Sequence, residues 1–124
     1  MTRSVPITAD LIDRFVDLSG DHSAIHVDDR AAQERGFRGR VAHGMLLGSL
    51  VSALVGTELP GDSGVLQQVR LSFRHPCYVG DRLDVRLGFS EYVASVRVLM
   101  LDVLIKNQDG VTVATGKIQS GVVE

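Results

Sequence analysis

One short stretch concentrates the side chains that could do chemistry: Gly20-Asp21-His22-Ser23-Ala24-Ile25-His26-Val27. Asp21 and His26 flank it, next to the apolar residues Ile25 and Val27. A carboxylate and an imidazole held together can bind one water and move its protons, acting as general base and then general acid. The same residues admit a plainer use, with Asp21 capping a turn and His26 lying on the surface, because loop aspartates so often bond their own backbone. His22 and His26 also form His-x-x-x-His beside Asp21. On a helix that spacing could hold a metal ion. Here it falls in a loop with no cysteine partner, so no metal site is expected.

A second candidate lies at His43-Gly44, where a long apolar run begins. Leu46, Leu47, Leu50, Val51, Leu54 and Val55 recur at three- and four-residue spacing, the helical period. No Lys, Arg, Asp or Glu occurs from Val41 to Thr57. A helix without a charged face is expected to be buried on nearly all sides. At roughly 20 Å, by 1.5 Å per residue, it is a central core helix and not a membrane span. Its N-terminus carries free N–H groups and a partial positive charge. Gly44 there would let a ligand oxygen approach the backbone, as a developing oxyanion requires. Equally, Gly44 could simply relieve crowding. Ser52, in mid-helix, reads first as a small packing residue.

Around these residues the chain divides in two. Ala9 to Leu18 is an amphipathic helix, with Thr8 as N-cap and Ser19-Gly20 as stop. Asp28 can cap a helix from Asp29 to Arg35 that Gly36 ends. After the turn cluster Pro60-Gly61-Asp62-Ser63-Gly64 the period switches to two. Val69, Leu71 and Phe73 alternate with polar residues, as do Leu83, Val85, Leu87 and Phe89. Val96 to Ile105 is apolar at both parities and should be a central strand covered on both faces. Asn107-Gln108-Asp109-Gly110 signals a hairpin leading to a last strand over Val111 to Val122. Little in Thr2 to Pro6 suggests more than a very short strand. Helices first and antiparallel strands after give an α+β class, with a sheet curled about the central helix.

Composition bounds the function. A chain of 124 residues suits one domain, 1–124. With 13 Lys and Arg against 15 Asp and Glu, the net charge of −2 gives no electrostatic case for nucleic acid. Met1 to Pro6 lacks the apolar run of a secretory signal, and Cys77 is the only cysteine, so a cytoplasmic protein is expected. No Gly-x-Ser-x-Gly elbow, Walker loop or dinucleotide fingerprint is present. Arg30, Arg35, Arg38 and Arg40 form a basic cluster that could hold ligand phosphates or simply face solvent. Cys77, with no His partner in view, should be inert.

Taken together, the segments Leu18 to Asp28 and Val41 to Leu47 resemble the hydratase motifs of the MaoC-like, hot-dog-fold dehydratase family, nearest to the (R)-specific enoyl-CoA hydratases. Tyr78-Val79-Gly80-Asp81 is similar to a further phrase of that family. The resemblance implies a hot-dog fold, a homodimer, and reversible hydration of trans-2-enoyl-CoA to (3R)-3-hydroxyacyl-CoA. It implies Asp21 and His26 as the catalytic pair and Gly44 as the oxyanion-binding position. Ser52, His43 and Met45 would contact substrate. No cofactor is implied; the partner is an acyl-CoA thioester, or the same acyl group on a carrier protein. A hot-dog thioesterase or a non-catalytic acyl-CoA-binding module are the alternatives. The family usually has Asp-x-Asn-Pro-x-His, where this chain has Ser23-Ala24.

Overall fold

A computed structural model describes residues 1–123. In chain order it contains β1 (Thr2–Pro6), α1 (Ala9–Ser19), α2 (Ala24–Val27), α3 (Asp29–Glu34), α4 (Gly44–Thr57), β2 (Gly64–Phe73), β3 (Arg82–Val93), β4 (Val98–Lys106) and β5 (Thr112–Val122). The five strands form one antiparallel sheet in the order β1-β3-β4-β5-β2. Strand alternation aims Leu83, Val85 and Leu87 of β3, and Leu99, Leu101, Val103 and Ile105 of β4, to one side. Against that side pack Leu46, Leu47, Val51, Leu54 and Val55 of α4, all in the same apolar cluster. Each such buried side chain stabilises the fold by about 1.5–3 kcal/mol relative to exposure. The α+β arrangement read from the sequence is the one observed.

α4 is not enclosed on nearly all sides, however. Met45 is 62% exposed, and Ser49, Ser52, Ala53 and Gly56 follow it on an open stripe. Among the described residues one sheet face covers the helix and nothing lies over its back. Lack of charge therefore marks here a small, uncharged exposed face as well as a buried one. Among the described residues no helix is long and apolar enough to cross a membrane.

Three local readings change. β1 forms in full, because residues 2–6 pair with 82–86 of β3 although only Val5 is strongly apolar. The central strand begins at Val98, not Val96, since residues 94–97 make a turn that puts Arg97 at φ 52° and leaves Val96 exposed. Ala24–Val27, taken as loop, is a single helical turn.

The segment that carries the candidate site is fixed at both ends by capping. Thr8 accepts from the Leu11 amide, and Gly20, at φ 76°, ends α1 by donating to the Val16 carbonyl. Asp28 caps α3 by accepting from the Arg30 and Ala31 amides. Between them, Ser23 at φ −53° and ψ 141° leads into Ala24, the first residue of α2. That geometry suits proline at Ala24: the preceding residue is extended, and a first-turn N–H has no intrahelical acceptor. Ala24→Pro should therefore keep the fold and raise stability by about 0.4–1 kcal/mol. Urea unfolding checks this; a fall in midpoint would contradict the assigned backbone.

Candidate active site

α2 carries His26 and the turn before it carries Asp21. His26 is buried, at 9% exposure, so it is not a surface residue. Its Nδ1 donates to the Val41 carbonyl over 2.6 Å. A carbonyl only accepts, so in the neutral ring this bond fixes the tautomer and leaves a lone pair on Nε2. Nε2 faces Asp21, 3.8 Å from Oδ2. That gap is too long for a direct hydrogen bond, yet a water about 2.8 Å from each atom fits at its apex. The Val41 amide in turn donates to the Ile25 carbonyl. Arg40 completes the support: its Nε donates to the His26 carbonyl over 2.7 Å and its Nη2 pairs with Asp13 of α1.

Asp21 stays half-open to solvent, with 48% of its side chain exposed. Ser23 holds it twice: the hydroxyl donates to Oδ1 over 2.6 Å and the amide over 3.1 Å. These two bonds hold the carboxyl below its usual range, with smaller contributions from His26 and His43. Asp21 thus does form the local turn of the plainer reading, through Oδ1, while Oδ2 remains turned to His26. Ser23, which stands where the motif usually has Asn, holds the carboxylate by its short hydroxyl.

Gly44 is the first residue of α4, and no side-chain cap from His43 occupies the helix N-terminus. Its N–H has no intrahelical partner by position. Gly44 lines a cleft of about 350 Å³ together with His26, Val41, Leu47, Phe73 and Cys77. A Cβ at residue 44 would come within 3.0 Å of the Phe73 ring. Crowding and backbone access therefore both call for glycine here.

The other candidates are placed differently. His43 is 3% exposed and does not line the cleft; its Nε2 donates to the Asp21 backbone carbonyl over 2.9 Å. Met45 and Ser52 sit on the open stripe of α4, outside the cleft lining of the single chain. His22 is exposed and takes no part in the cluster. Ligand atoms of Asp21, His26 and His43 do lie within 4.8 Å of one another. But both imidazoles commit one nitrogen to a carbonyl, and their rings stack 19° from parallel. Lone pairs in two stacked planes do not converge on one ion, so the set suits a water and its protons better. Arg38 covers the Tyr78 ring and pairs with Asp81, and Arg30 pairs with Glu34. Of the basic cluster only Arg40 is largely buried; the Arg30 and Arg38 side chains stay mostly exposed to solvent. Burial, then Asp81, push the Cys77 thiol up to about 12, which fits an inert residue.

Ser23, Arg40 and Phe73 have roles here other than those read from the sequence, which were a departure from the family's Asn, a member of a possible phosphate-holding cluster and a strand residue. An Asp-x-Ser turn signature could have shown Ser23. Arg40 has no local signal, because its partners lie 14 and 27 positions away.

Fold and site together define a small antiparallel sheet wrapped on a central helix, with an acid–imidazole pair at the helix mouth. Residues 1–107 match the model of the MaoC like domain. The chain belongs to that family. It is 33% identical over 103 residues to an (R)-specific enoyl-CoA hydratase of Aeromonas caviae, covering 83% of this chain and 77% of that protein. It is 35% identical over 83 residues to a 3-hydroxybutyryl-CoA dehydratase of Methylorubrum extorquens, covering 67% of this chain but only 53%, about half, of that protein's length. The solved structure of the (R)-hydratase from A. caviae superposes with a TM-score of 0.94 at 30% identity, over 98% of this chain and 92% of that one. The hot-dog fold expected from the motifs is the fold present.

The Ser23 bonds make a sign-specific prediction. Because they lower the Asp21 pKa, the ionised carboxylate stabilises the fold above the ordinary carboxylate range. That contribution is lost as pH falls through the lowered value. Ser23→Ala should move the Asp21 titration to higher pH, read by carboxyl ¹³C chemical shift. An unchanged midpoint would contradict the assigned cause.

Proposed function

We propose that this chain catalyses the reversible syn addition of water to a trans-2-enoyl thioester, giving a (3R)-3-hydroxyacyl thioester. The observation that carries the reading is the 3.8 Å Asp21–His26 gap beside an apolar cleft walled by Gly44. The names of the A. caviae and M. extorquens relatives support the substrate class, and the (R)-specific name supports the product hand.

In this mechanism Asp21 Oδ2 and His26 Nε2 hold one water. Its oxygen attacks C3 as the C2–C3 π bond breaks, and His26 Nε2 takes the proton. Charge moves to the thioester oxygen, where the Gly44 N–H and the α4 N-terminus meet it. One such preorganised donor is worth roughly 3 kcal/mol of barrier. His26 then returns a proton to C2, so O–H and H arrive on one face. General acid–base help of this kind gives about 10²–10⁴-fold. Only protons move, so the reaction calls for no redox cofactor. The acyl carrier is CoA or an acyl-carrier protein.

A homodimer belongs to the same reading. β2 is an edge strand paired only with β5, and it exposes Val65, Leu66, Val69 and Phe73. An unpaired apolar edge beside the open stripe of α4 favours a second copy. Such a copy would also cover Ser52 and Met45 near the cleft. The reading suits the cytoplasm, where the free Cys77 thiol is stable.

Asp21→Asn should leave circular dichroism unchanged and lower turnover of crotonyl-CoA by about 10³-fold, in line with loss of a general acid–base group. The assay is loss of enoyl-thioester absorbance with free thiol followed in parallel. Near-parental turnover by the variant, or thiol release by the parent, would overturn the proposal.

A further inference from the structure

His43 is the one ionisable side chain in the cluster that the proposed chemistry leaves idle. It is also the most deeply placed. Its ring stacks on His26 with centroids 3.8 Å apart, and it also meets the Phe15 ring of α1 at 4.8 Å, tilted by 57°. Its Nε2 donates to the Asp21 carbonyl, which fixes a lone pair on Nδ1. That Nδ1 is buried with no hydrogen-bond partner among the described residues.

The unpartnered nitrogen is informative. An apolar ring of similar shape would fill the space between Phe15 and His26 without stranding a buried acceptor. What imidazole adds is the Nε2–H bond to the Asp21 backbone. His43 is moreover the residue directly before Gly44, so its backbone is the α4 N-cap. One side chain therefore touches the carboxylate loop and the imidazole, while its own backbone sets the start of the helix that offers the oxyanion N–H.

We propose that His43 is a positioning residue: as the Nε2–H tautomer it ties the Asp21 loop and the His26 ring to the mouth of α4, and so fixes the spacing between the water-holding pair and the Gly44 N–H. This rests on the hydration reading. It replaces direct substrate contact as the role of His43. A shift of about 1 Å between reacting groups can cost about 10²-fold in rate, so a residue that only sets spacing acts on kcat.

His43→Phe keeps a ring between Phe15 and His26 and removes the donor. Turnover of crotonyl-CoA should fall about 10–100-fold with KM within threefold of the parent. Because Phe keeps the ring against His26 and the lost bond is the one to Asp21, adding His43→Phe to Asp21→Asn should change the remaining rate less than threefold. Parental kcat in His43→Phe, or losses that multiply in the double variant, would overturn the inference. Full activity in Asp21→Asn alone would instead overturn the hydration reading. A second measurement does not depend on the variant folding or on turnover. Imidazole ¹⁵N shifts of the unliganded parent should show His43 protonated at Nε2 and bare at Nδ1. The opposite tautomer would refute the tie to Asp21.

Discussion

The site depends on the bond from His26 Nδ1 to the Val41 carbonyl. At 2.6 Å and buried, it decides which imidazole nitrogen faces Asp21 and in what state. Without it the ring could present an N–H to the water and could not take its proton. The bond is also a splice. Val41 returns its own N–H to Ile25 and forms a bridge with Tyr78, while Ala42 donates to the Cys77 carbonyl. One extended segment thus joins α2, the turn before β3 and the start of α4. Geometry set there is passed to the oxyanion position within three residues.

The loop with Ser23-Ala24 shows how the same geometry tolerates a changed sequence. Proline would stiffen the approach to α2, and Ala24 reaches the same first helical position by propensity and by the caps on either side. Asparagine would reach farther, but Ser23 is close enough to bond Asp21 Oδ1 with both hydroxyl and amide. The carboxylate that results is held on one oxygen and open on the other. That division lets one residue be both a structural cap and a reacting group.

Much of this was legible beforehand. Periodicity located α4 and the long strands, and capping residues located α1 and α3, because those signals are local. The Asp21–His26 and His43-Gly44 pairs were singled out as candidates by residue type and position. Three features were not legible, each for a non-local reason. β1 exists by pairing with β3, some 80 residues away. The open stripe of α4 follows from there being only one sheet face to cover it. The tie from the start of α4 to the carboxylate loop depends on His43 reaching Asp21 across 22 positions. Sequence spacing says which side chains could react; it does not say which nitrogen is bonded to what.

The most direct test of the account is the stereochemistry of hydration in deuterium oxide. Crotonyl-CoA incubated with the chain should give a single (3R)-3-hydroxybutyryl-CoA, with one deuterium at C2 on the face that received the hydroxyl, as read from the proton couplings between C2 and C3. One water held between Asp21 and His26, with His26 returning the proton, puts hydroxyl and deuterium on one face, and the proposed (R)-specific reading sets the hand at C3. A 3S product, deuterium on the opposite face, or a mixture at C2 would contradict it.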